Sequence, residues 1–239
     1  MKSVIRSDIG KHRDINEDYG LITKVNNTYV YIVADGMGGH LAGEVASKMA
    51  IEKIVQYLEE NSDRSDQCVE IIQDSVIYAN DQVFLKSLNP EYKNMGTTCE
   101  LVLVNDGKAY VGHVGDSRVY ILNADGLRQV TRDHSLINDL VDSGSISKDE
   151  AKNLPQKNII TRALGSEEEI TVDIHECNLS MGDIIFICTD GVTGGLSDET
   201  LQETLSSDKT LDEKADEIIK MSNDAGGFDN STVILAEMR

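Results

Sequence analysis

The fold of this chain is limited most by a series of short apolar segments, several of which are joined by tight turns. Asn105-Asp106-Gly107 separates two of these segments, and Asp125-Gly126 follows a third. Because such turns favour hairpins, consecutive strands are expected to be antiparallel neighbours, unlike the strands of a doubly wound parallel sheet. The predicted strands cover residues 29–34, 98–105, 108–114, 118–123, 171–177, 184–188 and 231–236.

Three further segments have the spacing of amphipathic helices. Residues 42–58 and 68–88 repeat apolar side chains at three- and four-residue steps, and residues 211–222 form the last predicted helix. Helices are needed because both faces of the predicted sheets require cover. The sequence therefore predicts an α/β sandwich in which two sheets lie between helical layers.

The charge of the chain argues against polyanionic partners. Of its 239 residues, 22 are Lys or Arg and 42 are Asp or Glu, which gives a formal net charge of −20. Binding to nucleic-acid backbones and to anionic membrane surfaces depends on Lys and Arg, so we expect neither partner. No apolar run is long enough for a transmembrane helix or a signal peptide, which predicts a cytoplasmic protein.

A single domain is expected over residues 1–239. No linker rich in Pro, Gly and Ser divides the chain, and no internal repeat is visible. Without coiled-coil heptads or a large apolar surface stripe, we expect a monomer. The four cysteines form no CxxC pair, so neither a disulfide framework nor thiol catalysis is expected.

Acidic residues stand beside the ends of predicted strands in five places. A single Asp-Gly pair is most often only a turn, but five such places, four of them with glycine, indicate a site that a ligand can approach closely. They are Asn16-Glu17-Asp18, Asp35-Gly36, Gly115-Asp116-Ser117-Arg118, Asp190-Gly191 and Gly226-Gly227-Phe228-Asp229-Asn230.

The convergence of these acids would require a cation. Two like charges about 4 Å apart repel by roughly 4 kcal/mol at an effective dielectric constant of about 20. Lys and Arg are scarce nearby apart from Arg13 and Arg118. Ligands that are all oxygen favour the hard ions Mg²⁺ or Mn²⁺ over zinc or iron.

Eight segments, in order along the whole chain, carry a resemblance to a known family. They are SDIGKHRDINED (7–18), VADGMGGHLAGEVAS (33–47), GTT (96–98), HVGDSRVY (113–120), TRDHS (131–135), NIITRALG (158–165), DIIFICTDGVT (183–193) and DNSTVIL (229–235). Together they resemble the motifs of the bacterial metal-dependent Ser/Thr protein phosphatases of the type 2C (PPM) family.

The resemblance implies a four-layer α/β/β/α sandwich, in which two mainly antiparallel sheets are flanked by helices, with a binuclear metal centre at one edge. On the family pattern Asp35 bridges both metals. The carbonyl of Gly36 and a water-mediated contact through Asp18 support one metal, while Asp190 and Asp229 hold the other.

Further positions have more peripheral roles on the same pattern. A third, weaker metal would be bound by Asp116 together with Asp190, and Glu17 would assist from outside the metal shell. Asn230 would orient its turn by hydrogen bonding. Residues 136–157 match a mobile flap beside the cleft, a kind of segment that controls substrate access.

The mechanism implied by the resemblance is hydrolysis by a metal-bridging hydroxide. Two metals about 3.5–4 Å apart lower the pKa of a shared water, which then attacks phosphorus in line. Arg13 matches the arginine that binds the phosphate, since a planar guanidinium can contact two oxygens at once. Its alternative role is a surface ion pair with Asp14 or Glu17.

The proton for the leaving group has two candidate sources. Eukaryotic relatives carry a His directly after the metal-binding Asp-Gly, where this chain has Met37. The nearest histidine is His40, three residues later, and a metal-bound water could serve instead. His113 and His134 are expected to satisfy local hydrogen bonds.

The sequence therefore predicts a hydrolase of phosphoserine and phosphothreonine in proteins that depends on Mn²⁺ or Mg²⁺. Its substrates would be the products of a Ser/Thr protein kinase in the same cell. The alternative is a non-catalytic phosphopeptide-binding module of the same fold, although the intact acidic positions favour the enzyme. A nucleotide hydrolase would need a Walker-type loop or an aromatic base clamp, and the sequence has neither.

Overall fold

Two antiparallel sheets lie face to face in the computed structural model, which describes residues 1–38, 42–64, 67–151 and 159–239. The first sheet has the order β1 (Lys2–Asp8), β11 (Ser231–Glu237), β10 (Ile184–Cys188), β7 (Arg118–Asn123) and β8 (Gly126–Gln129). The second has the order β2 (Asp18–Val25), β3 (Thr28–Met37), β5 (Cys99–Asn105), β6 (Lys108–Val114) and β9 (Asp173–Asn178), with β4 (Gly96–Thr97) beside the end of β3.

Helices cover the outer face of each sheet. The second sheet is covered by α1 (Ala42–Glu60) and α2 (Cys68–Ser87), and the first by α5 (Asp190–Thr193), α6 (Asp198–Ser206) and α7 (Leu211–Asp224). Two short helices, α3 (Leu136–Asp142) and α4 (Lys148–Ala151), follow β8, and single 3-10 turns cover Ser62–Arg64 and Pro90–Tyr92. No helix of the described ranges is long and apolar enough to cross a bilayer.

The alternation of side chains along the central strands produces three apolar layers. In β10, Ile185 and Ile187 pack between the sheets, whereas Ile184, Phe186 and Cys188 pack against the helices. The central strands of the other sheet alternate in the same way. Because successive side chains of a strand point to opposite faces, a strand covered on both sides is apolar at every position. The four-layer α/β/β/α sandwich is therefore confirmed.

The predicted hairpin at Asn105-Asp106-Gly107 is also confirmed. Asn105 pairs with Lys108, and the two residues between them have φ angles of +47° and +74°. Glycine suits the second position because it adopts left-handed backbone angles without steric cost. The strands β5 and β6 joined by this turn are central in their sheet.

Four strands lie outside the predicted set: the two-residue β4 beside the end of β3, and β1, β2 and β8, which lie at sheet edges. The edge strands share one property. Each pairs with only one neighbour within its sheet, and most of its residues are only partly buried. An edge strand exposed in this way has no continuous apolar run to identify it. The predicted flap, residues 136–157, contains α3 and α4, and its part beyond residue 151 lies outside the described residues.

We expect Ile185→Ala to lower the free energy of unfolding by about 2–5 kcal/mol, because it leaves a cavity between the two sheets. The Ile185 side chain is 1% exposed, whereas that of Leu85 on α2 is 61% exposed. The matched control Leu85→Ala should change stability by less than about 0.5 kcal/mol. Urea unfolding followed by circular dichroism measures both, and equal effects would contradict the placement of Ile185.

Candidate active site

Acidic residues from both sheets meet at one edge of the sandwich. Asp18, the first residue of β2, pairs in register with Asp35 near the end of β3. Asp190 follows β10 by two residues, and Asp229 precedes β11 by two. Asp116 lies in the connection from β6 to β7. Strand pairing therefore fixes the backbone of Asp18 and Asp35, and the other three carboxylates are carried within two residues of a strand end.

A cavity of about 320 Å³ lies among these residues. The residues that line it are Arg13, Glu17, Asp35, Gly36, Met37, Gly38, Thr98, Asp116, Ile160, Asp190 and Asp229. Six of the eight residues singled out from the sequence are thus brought to one cavity. Of the other two, Asp18 is buried and paired in register with Asp35, and His40 lies outside the described residues.

Buried carboxylate oxygens without partners accompany the cavity. Asp18 Oδ2 accepts a hydrogen bond from Thr189 Oγ1 at 2.8 Å. Within the described part of the chain, Asp18 Oδ1 and Glu17 Oε1 are buried without a hydrogen-bond donor. Burying such an oxygen costs free energy of folding unless a cation or a water molecule contacts it. These two oxygens are the first sign that the site is built around something besides protein.

Asn230 joins the loops that carry the acidic residues. Its Nδ2 donates to the carbonyl oxygens of Ile9 and Ile15 at 2.8 and 3.0 Å, and its Oδ1 accepts from the backbone N–H of Glu17 at 2.8 Å. Both amide hydrogens and one lone pair of the amide oxygen are therefore used by the backbone before Asp18. The turn that presents Asp229 is fixed to the loop that presents Arg13.

Gly36 allows a close approach of backbone to backbone. A Cβ at this position would collide with the carbonyl oxygen of Gly43 in α1 and lie 2.6 Å from that of Glu17. The Gly36 N–H donates to the Glu17 carbonyl at 3.1 Å, and the same carbonyl accepts from Ser47 Oγ at 2.6 Å. The first helix is thereby packed directly against the strand end that carries Asp35.

Threonines that the sequence analysis did not single out support the acidic residues. Thr98 Oγ1 accepts from the backbone N–H of Asp35 at 2.9 Å and contacts Ser117 Oγ at 2.9 Å, next to Asp116. Thr189, immediately before Asp190, accepts from Thr232 N–H at 2.9 Å and donates to Asp18. Their position beside Asp or at a strand end is the only signal in the sequence, and it does not distinguish them from other threonines.

The environment of the cavity raises the pKa values of four of its carboxyl groups. Burial and the negative charges of Asp18 and Asp190 raise the pKa of Asp35 well above its ordinary value. Burial is also the main cause that raises the pKa of Asp18 and of Asp116 to about 7. Burial and Asp229 raise the pKa of Asp190. Each shift is the expected response of a carboxylate that lacks water and faces like charges.

Only one of the two nearby arginines reaches the cavity. Arg13 Nη2 lies 2.7 Å from Asp229 Oδ2, and its Nη1 lies 3.9 Å from Glu17 Oε2. Arg118 is instead bound to Asp133, with contacts of 2.8 and 2.6 Å from Nε and Nη2. One guanidinium cannot neutralise five carboxylates, so a large excess of negative charge remains.

The residues present fit hard divalent cations. Within the described ranges, no three acidic, His or Cys side chains are already arranged as a complete metal-binding group. Mg²⁺ does not need such a group, because it keeps several waters and binds through one or two carboxylates. The partnerless oxygens, the raised carboxyl pKa values and the all-oxygen donors are consistent with such ions.

His134 fixes the loop that carries Asp116 through hydrogen bonds to Gly115. Its backbone N–H donates to the Gly115 carbonyl at 2.7 Å, and its Nδ1 accepts from Gly115 N–H at 3.0 Å. Its Nε2 lies 3.2 Å from Asp173 Oδ2 and 2.9 Å from Arg162 Nη1. His113 is fully buried, with Nδ1 2.6 Å from Glu100 Oε1. Both histidines have the local hydrogen bonds expected from the sequence.

We expect Asp18→Asn to stabilise the metal-free protein in a pH-dependent manner. The folded-state pKa of Asp18, about 7, lies above its ordinary value of 3.8. As pH rises from about 4 to about 7, ionisation therefore favours the unfolded chain, and stability is lost. The gain of the variant over the natural chain should grow over this window to roughly 2–4 kcal/mol.

Urea unfolding in EDTA between pH 4 and pH 8 measures this difference. Asp125→Asn, in the exposed turn between β7 and β8, is the control and should give no such trend. A gain for Asp18→Asn that is the same at every pH would show that Asp18 has its ordinary pKa in the folded state.

Comparisons with known proteins agree with this geometry. The model of the family described as Protein phosphatase 2C matches residues 11–234. The serine/threonine phosphatase stp of Listeria monocytogenes is 38% identical over an alignment that covers 99% of this chain and 96% of the relative. Protein phosphatase PhpP of Streptococcus pneumoniae is 34% identical and covers 100% of this chain and 98% of its own length.

A solved structure of a serine/threonine phosphatase has the same fold along the whole chain. The serine/threonine phosphatase of S. agalactiae superposes with a TM-score of 0.89 at 34% identity, over 100% of this chain and 99% of the other. The match extends over both sheets and over the edge where the acidic residues meet. The chain therefore belongs to the protein phosphatase 2C family of metal-dependent serine/threonine phosphatases.

Proposed function

We propose that this chain hydrolyses phosphoserine and phosphothreonine in proteins by attack of a water that bound divalent cations activate. The observation that carries the proposal is the meeting of Asp35, Asp116, Asp190 and Asp229 around one cavity that also contains Arg13. A phosphate monoester brings further negative charge to this cavity. It can bind there only when cations have reversed the local potential.

Two ions would be held by five groups. Asp35 would contact both ions, Gly36 O and Asp18 through water would support one, and Asp190 and Asp229 would hold the other. The catalytic domain of the serine/threonine protein phosphatase PstP, 32% identical to this chain with a TM-score of 0.85, has been solved in complex with two manganese ions. This relative supports Mn²⁺ as a suitable ion, and Asp116 with Asp190 remains our proposed site for a third.

Bound cations of this kind supply Lewis acidity, which activates water for in-line attack and neutralises charge on the phosphoryl oxygens. The chain's own residues set the geometry around them. Thr98 and Thr189 fix Asp35 and Asp18 by hydrogen bonds at 2.9 and 2.8 Å. A carboxylate held in this way does not have to reorient during the reaction.

Arg13 would bind the phosphate at the mouth of the cavity. Its side chain is 45% exposed and, among the residues that the structure describes, forms ion pairs with Asp229 and Glu17. Cations held by the carboxylates would weaken these ion pairs, and the guanidinium would then be available for two phosphoryl oxygens. The proton of the leaving group would come from His40 or from a metal-bound water, as the sequence left open.

The non-catalytic alternative is not favoured. The full-length relatives at 34–38% identity are named phosphatases, and this chain has every acidic residue that a metal-dependent phosphatase of this pattern requires. Phosphorylated proteins are therefore the proposed substrates. The opposing kinase, the monomeric state, the cytoplasmic location and the absence of nucleic-acid and membrane partners stay predictions from the sequence.

We expect the purified protein to release phosphate from para-nitrophenyl phosphate and from phosphothreonine peptides in Mn²⁺ but not in EDTA. Mn²⁺ should also raise its Tm, because cations bind the folded carboxylate cluster and not the unfolded chain. In Asp35→Asn both the hydrolysis and the Tm shift should be lost, with activity falling by at least about a hundredfold.

The control for this experiment is Asp125→Asn, which should keep both properties. Hydrolysis by the natural chain in EDTA would contradict the metal-dependent mechanism. A full Mn²⁺-induced Tm shift in Asp35→Asn would remove Asp35 from the proposed centre.

We expect Arg13→Ala to lower kcat/KM for phosphorylated substrates by roughly ten- to a hundredfold, with a higher KM and a lower kcat, because a charge-assisted hydrogen bond to phosphate contributes about 1.5–3 kcal/mol. Arg13→Lys should recover only part of the loss, since an ammonium lacks the planar fork. The control is Arg6→Ala, which removes an arginine of β1 that is bound to Asp212 and Asp216 of α7. Unchanged kinetics in Arg13→Ala would exclude phosphate binding by Arg13.

A further inference from the structure

Two loops meet at the active-site cavity in three consecutive residue pairs. One loop joins β1 to β2, and the other joins α7 to β11. The pairs are Lys11 with Gly227, His12 with Phe228, and Arg13 with Asp229. The first is a backbone hydrogen bond of 2.7 Å, and the third is an ion pair of 2.7 Å. Between them the two rings stack, with centroids 5.0 Å apart and planes inclined by 20°.

The stacked rings of His12 and Phe228 lie next to the wall of the cavity, and we call them the aromatic rim. Arg13 and Asp229 line the cavity, and each directly follows one of the two rings in the chain. Consecutive Cα atoms are about 3.8 Å apart. Both rings are therefore attached within one residue of the groups proposed to bind phosphate and metal.

Phe228 is exposed although its ring is held in place. It is 72% exposed, whereas Phe186 is buried and Phe84 is half-buried. Its ring stacks on His12, and a Cβ at Gly226 would collide with the ring, which shows how closely the ring packs against that backbone. The ring is thus positioned before a substrate arrives, so a substrate that contacts it does not have to order it first.

The chemistry of the aromatic rim favours an aromatic occupant. Lys11 and Arg13 stand on either side of His12 in the chain, and both cations have carboxylate partners. A cationic side chain can bind the face of an exposed ring, but here it would lie beside these two cations. An anionic side chain would meet the negative face of the rings. An aromatic side chain instead buries apolar surface and stacks, so it complements the rim best.

We infer that the aromatic rim contacts the substrate chain beside the phosphorylated residue and favours an aromatic side chain there. The inference rests on the proposed function and names a substrate preference of the same site. The phosphate determines where the substrate lies, because it would bind to Arg13, one residue from the rim. The next residue of the substrate is displaced by the same distance of about 3.8 Å between Cα atoms, so its side chain can reach Phe228.

The test measures kcat/KM in Mn²⁺ for three phosphothreonine peptides that carry Phe, Ala or Lys on both sides of the phosphothreonine. Lys is the competing occupant, because Asp14 on the same loop is exposed. The natural chain should prefer the Phe peptide over the Ala peptide by roughly two- to tenfold. In Phe228→Ala this ratio should fall to about one, mainly through KM, and Phe228→Trp should keep it because a larger ring also stacks. A ratio measured on one protein does not depend on the fraction that is folded.

The matched control is Met181→Ala, which removes an apolar residue of similar exposure, 73%, before the start of β10, whereas Asp190 follows the other end of that strand. It should keep the ratio of the natural chain. An equal fall for the Phe and Ala peptides in Phe228→Ala would show that Phe228 only positions Arg13, and it would overturn the inference. A natural chain that does not prefer the Phe peptide, or that prefers the Lys peptide, would overturn it as well. Absence of Mn²⁺-dependent hydrolysis of all three peptides would instead contradict the proposed function.

Discussion

The mutual repulsion of buried carboxylates is the constraint around which this molecule is organised. Asp18, Asp35, Asp116 and Asp190 have raised pKa values because they are buried near one another. Such a cluster does not assemble by itself, since each ionised pair opposes the approach of the others. The three apolar layers of the sandwich hold it together. The same repulsion would favour the binding of cations, as we propose.

The sandwich holds the cluster because its acidic residues are attached to the stiffest parts of the fold. Asp35 follows the fully buried residues Val30 to Ala34 within β3, and Asp190 follows a strand that is buried throughout. Around them, Asn230 satisfies three backbone groups of the neighbouring loops. The backbone cannot relax to separate the charges without breaking strand pairing. Rigidity of this kind is what preorganises a site for charge stabilisation.

The central strands were predictable from sequence with nearly correct bounds, because burial on both faces makes each of them a continuous apolar run. The edge strands β1 and β2 were not, since half-buried strands mix polar and apolar residues. The acidic positions were predictable because they adjoin the central strands. Thr98 and Thr189 were not, because their partners are distant in sequence, 63 residues from Thr98 to Asp35 and 171 from Thr189 to Asp18.

By itself the sequence determined the layers of the fold, the order of its central strands along the chain and the set of acidic residues, because these depend on local periodicity and on residue type. Only the tertiary structure decided which strands are neighbours beyond the predicted hairpins, and that Arg118 is bound to Asp133 while Arg13 faces the cavity. These features depend on contacts between segments far apart in the chain. Such contacts come from the packing of the whole sandwich, which no local pattern encodes.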